Sequence, residues 1–305
     1  MPISSLAPPE TVWEEMDIEQ HARSVVDLVG HGLLAEADLH IAAHAEMARG
    51  GEGLDRHGDA LAWSVMRALL SGRERAARAG LDALLARGGG SDGPGSADGY
   101  WLQRLWVVFT WGDEHERYAL VDHCRERAWC HEDIAWRGRL TLLLAHLGRT
   151  DEAVRELDAT TAALASAPPT VSRLDLATDL VEAAALLGDG RGREGLCQVM
   201  ASAGTSTVVA GRAWVCKGSV SRYQALAAAT AGDHGEADRC FRAAVEAHRR
   251  MGADALLART LDEWGRGLAT QDPARSAHLL RESADLQHRL DMTPAGPGEI
   301  ADLAS

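Results

Sequence analysis

The chain has 305 residues, 46% hydrophobic, 25% charged and 5% aromatic, with a mean hydropathy of −0.18, which is a globular rather than a disordered composition. No run of eighteen apolar residues occurs, so a membrane span is not expected. The formal charge of −14, from 45 acidic and 31 basic residues, opposes contact with nucleic acid or anionic lipid, and neither is expected as a partner.

At the N-terminus, residues 1–9 have no basic region and no apolar core, and read as a short extension rather than a secretory leader. Five cysteines (Cys124, Cys130, Cys197, Cys216 and Cys240) lack metal-type or disulfide-framework spacing, which fits a reduced, cytoplasmic protein. Of the 31 basic residues only Lys217 is lysine, a bias that reads as GC-rich coding.

Going along the chain, glycines that end apolar helical runs recur at Gly32, Gly72, Gly112, Gly148, Gly188 and Gly232, at intervals of 40, 40, 36, 40 and 44 residues. Gln271 takes the equivalent place in a seventh unit. Five residues after each marker the side chain is small (Ala37, Ala77, Ala153, Ala237, Ser276), with Arg117 and Arg193 as exceptions. Nine residues after it the side chain is apolar in every unit: Ile41, Leu81, Val121, Leu157, Cys197, Phe241 and Leu280. A small residue lets two helices approach, and an apolar one a turn later fills the space between them. Each unit is therefore a helical hairpin, its glycine ending one helix and the next helix starting within a few residues.

Pro9, Thr170 and Asp272 are placed to start helices. Breaks are expected at 50–56, 88–99, 165–169 and 201–212; in the last, residues 205–209 have a briefly extended pattern. The expected organisation is an extension over 1–9, one all-α solenoid of about seven hairpins over 10–292, and a frayed tail over 293–305.

Residues 231–244 (AGDHGEADRCFRAA) and 147–153 (LGRTDEA) resemble the second helix of a tetratricopeptide repeat. With 60–73 (ALAWSVMRALLSGR), 249–253 (RRMGA) and 258–260 (ART), nearly the whole chain resembles the C-terminal repeat region of large bacterial signalling ATPases and LuxR/MalT-type regulators. The resemblance implies a right-handed superhelix. The ATPase and DNA-reading activities do not carry over: Lys217 lies between Cys216 and Gly218 where a P-loop needs Gly and Ser or Thr, and no basic recognition helix follows a turn.

The resemblance further implies that the first helix of each unit lines a concave groove. Counted back from the markers, one position per unit is Arg23, Trp63, Gln103, Arg139, Asp179, Tyr223 and Asp262; a second series includes Met66, Trp106 and Glu182, and a third Glu19, Asp59 and Asp175. The groove then has an aromatic half (Trp63, Met66, Trp106) and an acidic half, with Arg139, Arg222 and Tyr223 beside it. Asp175, Asp179 and Glu182 stand at i, i+4 and i+7 on one helix face. Crowded carboxylates raise one another's pKa, which suits acid–base chemistry by Asp179, Glu182 and Tyr223. A solvated acidic face or an anchor for a cationic peptide is the favoured reading. Most of the nine tryptophans read as core, with Trp63 and Trp106 as the groove candidates.

Glu36, His40 and His44 share a helix stripe at i, i+4 and i+8, the one metal candidate, yet His44 falls on an inter-helix packing position and structural histidines are favoured. The pairs His123-Cys124 and Cys130-His131 do not converge on a helix, and residues 204–211 read as a connector before a helix rather than an anion loop. No metal and no cofactor is expected. The expected function is a stand-alone binding scaffold for a protein or peptide segment. The alternative is a sensor or cofactor-independent acid–base enzyme for an apolar small molecule, acting by cyclisation or isomerisation. The last helix, 272–290, is placed to cap the array or to pair it as a homodimer.

Overall fold

The computed structural model describes residues 16–50, 54–89, 96–130, 133–166, 172–190 and 193–292. Among these the chain forms fourteen α-helices and one two-stranded sheet, an all-α fold. In chain order the elements are α1 (Ile18–Gly30), α2 (Leu34–Gly50), α3 (Leu54–Leu70), α4 (Glu74–Leu84), α5 (Ser96–Trp111), α6 (Glu114–Arg125), α7 (Ile134–His146) and α8 (Thr150–Ser166). Then follow α9 (Ser172–Leu187), α10 (Arg193–Ala201), β1 (Thr207–Ala210), β2 (Val215–Ser219), α11 (Val220–Thr230), α12 (His234–Met251), α13 (Asp254–Gly267) and α14 (Pro273–Arg289). Helices α4 and α6 each continue into one π turn, Leu85–Gly89 and Glu126–Cys130.

The recurring glycines do end helices. Gly32, Gly72, Gly148, Gly188 and Gly232 all have φ between +63° and +75°. At each, the next residue's amide bonds back across the turn: Leu33 to Leu28, Arg73 to Ala68, Arg149 to Leu144, Asp189 to Ala184 and Asp233 to Ala228. This left-handed cap satisfies carbonyls the helix leaves open, and a side chain there would be strained. Gly112 keeps an ordinary φ. At the other ends Asp113, Asp133 and Asp233 cap α6, α7 and α12, and Asp272 accepts from Arg275 N–H with Pro273 in the first turn.

Successive helices pack as neighbours (α1 on α2, α3 on α4, and so on to α13 on α14), and α7, α9 and α11 also pack one on the next. The small positions Ala37, Ala77, Ala153, Ala237 and Ser276 are buried at these contacts, and so is Arg117, the exception in the series. The chain also returns on itself. Helix α13 packs on α3, Trp111 Nε1 donates to Leu290 O at 3.0 Å, and Arg259 donates to Phe109 O at 3.1 Å.

Several boundaries differ from the sequence reading. The breaks at 50–56 and 88–99 are shorter, because α2 runs to Gly50, α3 begins at Leu54, and α5 begins at Ser96. Pro9, Thr170, the 1–9 extension and the 293–305 tail lie outside the described residues. The break at 201–212 is the largest departure. It opens a β-hairpin whose strands pair antiparallel, Thr207 with Ser219 and Ala210 with Val215. Register slips between Val208, which pairs with Gly218, and Val209, which pairs with Cys216, so Lys217 is the extra residue of a bulge. The hairpin packs against α1, α3, α5, α9, α11 and α12.

Candidate functional site

The residues expected to line an open groove are interior. Trp63, Met66, Gln103, Trp106, Arg139, Asp175, Asp179, Glu182, Arg222 and Tyr223 are all buried, Trp106 the most exposed at 7%. Two are not: Arg23 is exposed, its side chain 72% accessible beside Glu19, and Asp262 is partly exposed and pairs with Arg266 at 2.7 Å. The cover over Trp63, Gln103, Trp106, Asp175 and Asp179 is the hairpin, supplied from outside the helical repeat and so invisible to a count along it, while Glu182 and Arg222 are closed in by His146, Arg259 and Glu263.

The hairpin's tip meets neutral donors. Trp63 Nε1 donates to Arg212 O at 2.7 Å, and Gln103 Nε2 donates to Trp214 O and to Ala62 O, both at 2.6 Å. Trp214 in turn donates to Asp59 at 3.2 Å, and Arg212 pairs with Asp59 and Glu19. The base of the hairpin is tied to the end of α1 by Ser206 N–H donating to Gly30 O and Thr207 Oγ1 donating to Val29 O.

The second strand meets charge. The bulge aims Lys217, 1% exposed, at α9. Its Nζ donates to Asp175 Oδ1 (2.6 Å), Asp175 O (2.9 Å) and Thr178 Oγ1 (3.1 Å), and lies 5.1 Å from the Trp106 ring centre. Those three bonds use all three ammonium hydrogens. Asp179 Oδ1 is also 2.6 Å from Nζ, so one ammonium is shared between two carboxylates of α9. Burial pushes the Asp179 carboxyl up, Lys217 opposes this and Asp175 adds to it, leaving it at about 7. Burial acts on Asp175 too, but Lys217 and then Arg139, at 2.9 Å, hold that carboxyl below its ordinary range.

One turn further along α9, Glu182 faces Arg222 at 2.8 Å, Arg259 at 3.4 Å and His146 Nε2 at 3.7 Å. Burial raises its pKa, but Arg222, His146 and Arg259 together hold it well below the usual carboxylate range. Arg222 also binds Glu263 with two nitrogens, a fork geometry that only a guanidinium offers. Tyr223 donates to Lys217 O at 3.0 Å, and burial keeps its hydroxyl protonated. Four carboxylates (Asp175, Asp179, Glu182, Glu263) thus meet four cations (Arg139, Lys217, Arg222, Arg259).

Gly218, beside the bulge, has φ +90°, and a Cβ there would fall 2.5 Å from His248 Nε2. That nitrogen accepts from Ser219 N–H at 3.0 Å, while Nδ1 faces Thr260 Oγ1 at 3.1 Å, so the ring is neutral; burial lowers its pKa to about 3.

The metal candidate does not assemble. His40 is buried with its Nδ1 2.8 Å from His21 Nδ1, His44 packs edge-on to Trp63, and Glu36 is only half-buried. Among the described residues no group of three His, Cys, Asp or Glu is arranged to hold a metal. His123 stacks on Trp101 at 3.8 Å, burial pushes the neighbouring Cys124 thiol up to about 12, and His131 lies outside the described residues. The stretch 204–211 is the entry to β1 and the strand itself.

The sequence reading missed Lys217, Thr178, His146, Glu263 and Arg259. The signal available for Lys217 was its being the single lysine among 31 basic residues, in the segment that lacks helical periodicity. Comparison with protein families, curated proteins and solved structures finds no match to this chain.

Proposed function

We propose that the chain is a tetratricopeptide-like binding scaffold in which seven helix pairs form a right-handed superhelix whose concave face takes an extended polypeptide segment, in a regulatory or assembly role. The observation that carries this reading is the way the expected groove residues treat the hairpin. Trp63 and Gln103 donate to its main-chain carbonyls, and Asp175 accepts from its one ammonium. Donors aimed at carbonyls recognise an extended backbone whatever its side chains, and a buried acidic pair adds selectivity at one position. The acidic face of α9 acts here as an anchor for a cation on a peptide-like segment.

The alternative, a small-molecule sensor or acid–base enzyme, needs Asp179, Glu182 and Tyr223 available to a substrate. Glu182 is engaged by Arg222, Tyr223 donates to Lys217 O, and the aromatic wall of Trp63, Met66 and Trp106 is buried.

Native mass spectrometry of protein purified gently from its own host tests the proposal. A released polypeptide at fixed stoichiometry is the expected result, with contacts that cross-linking maps to α3, α5 and α9. A released small metabolite instead of a polypeptide would overturn the scaffold reading in favour of the alternative.

A further inference from the structure

We propose that Arg117, with Arg259 and His146 beside it, forms a binding site for a small oxyanion, a carboxylate or an inorganic phosphate, close to where α5 ends and α6 begins. This goes beyond the scaffold reading and does not rest on it.

The first observation is a buried cation without a counter-ion. Arg117 occupies a repeat position that other units fill with Ala37, Ala77, Ala153, Ala237 and Ser276, so helix packing does not call for a long charged side chain there. It is 4% exposed. The other buried cations each bind a carboxylate: Arg139 has Asp175, Lys217 has Asp175 and Asp179, and Arg222 has Glu182 and Glu263. Among the described residues the Arg117 guanidinium has no ion pair and no hydrogen bond, and its Nε is sealed from water without a partner. An unpaired buried charge is strongly unfavourable, so a ligand that pairs it gains what the fold leaves open. The acids within electrostatic reach do not close the gap. Burial and then Arg259 lower the pKa of Arg117, and Asp113 and Glu114 oppose them in part; Asp113 accepts from Glu116 N–H, and Glu114 is exposed.

The groups beside it are donors as well. Arg259 donates to Phe109 O at 3.1 Å and reaches Glu182 at 3.4 Å, which leaves guanidinium hydrogens unused. Its side chain is 21% exposed, so the site meets solvent on that side. The buried His146 ring faces Glu182 from 3.7 Å, too far for a hydrogen bond. Burial lowers its pKa, Glu182 opposes this, and the Arg259 and Arg117 cations add to it. Glu182 is already shared between Arg222 and Arg259, so it does not balance a further cation. Two planar guanidiniums offer paired N–H donors that match the oxygens of a carboxylate or phosphate, a fit that chloride does not provide.

Calorimetric titration and thermal melts of the full-length protein at neutral pH test the site, with sodium phosphate or sodium acetate exchanged for sodium chloride at constant ionic strength. One oxyanion should bind per chain, and about 20 mM of it should raise Tm by at least about 3 °C over the chloride control. Arg117→Met keeps an apolar stem and removes the charge. It should melt no lower than wild type in chloride, and its affinity for the anion should fall at least about tenfold. Arg23→Ala, at an exposed arginine, should keep both the affinity and the shift. A response to phosphate alone or to acetate alone tells which oxyanion the site takes, and a response to neither overturns it. Unchanged affinity in Arg117→Met would place the anion elsewhere, and a lower Tm of that variant in chloride would show the guanidinium satisfied within the fold; either result overturns the proposal. The wild-type titration decides independently of the variant, and because no polypeptide takes part, its failure leaves the scaffold reading to its own test.

Discussion

The two ends of the hairpin's seat hold it by different chemistry. At the α3–α5 end, Trp63 and Gln103 are neutral donors to main-chain carbonyls, and the ionised partners Asp59, Glu19 and Arg212 lie towards the surface. At the α9 end, a lysine and three carboxylates of one helix face are sealed among arginines from α7, α11 and α13. The neutral end sets where the backbone runs. The charged end sets which side chain is accepted, because buried charges tolerate only a complete set of partners. Loss of one partner should therefore cost much at the charged end and little at the neutral end.

Arg222→Met is the strongest test of that asymmetry. It strands Glu182 and Glu263 in the interior, and urea denaturation should show a loss of about 3–5 kcal/mol. A loss under about 1 kcal/mol would mean that water reaches these groups. Ala237→Arg, on the α12 face against α11, should cost roughly 3 kcal/mol or more, since the site is buried against its neighbours and has no room for the larger side chain; an unchanged melting temperature would contradict the packing.

Asp179→Asn has a pH signature. The folded carboxyl titrates near 7, above its ordinary 3.8. Its protonation therefore stabilises the fold fully below the unfolded pKa, and that contribution is lost as pH rises through 7. The asparagine keeps the neutral form at every pH. The variant should thus gain about 2–3 kcal/mol on wild type between pH 5 and pH 8. Taking the difference cancels the buried histidines, whose depressed values act in the opposite direction. A difference that stays flat with pH would show Asp179 to be ionised throughout.

At the neutral end, Trp63→Phe removes one donor and leaves the Arg212 carbonyl unpaired, for an expected loss of about 1–2 kcal/mol. Smallest of all, Arg23→Ala should leave the melting temperature unchanged, although Arg23 has the same repeat position as Trp63 and Asp179. A drop comparable to that of Arg222→Met would show that repeat position, rather than the hairpin above it, decides burial.

Helix ends were legible in the sequence because they are local. A glycine in the left-handed region closes the helix that precedes it, and the capping aspartates act within three residues. The shared face of Asp175, Asp179 and Glu182 was legible for the same reason, as was a brief extended pattern at 205–209. What meets that face was legible only in part. Arg139, Lys217, Arg222 and Arg259 come from 36, 42, 40 and 77 residues away, from four different elements. The repeat spacing placed Arg139 and Arg222 beside α9, but it carries no sign of Lys217 or Arg259. The hairpin escaped in particular because it interrupts the repeat on which the groove count depends, and a bulge rather than strand alternation aims Lys217. The histidine stripe shows the converse: spacing paired Glu36 with His40, while packing gave His40 to His21.

The most direct measurement is NMR of protein labelled with 15N in lysine alone, which yields one side-chain ammonium signal because Lys217 is the only lysine. A seat among Asp175, Thr178 and Trp106 predicts an ammonium whose protons exchange slowly with water and show cross-peaks to the Trp106 ring. A signal broadened away by fast exchange, with no contact to Trp106, would place Lys217 in solvent and contradict the account.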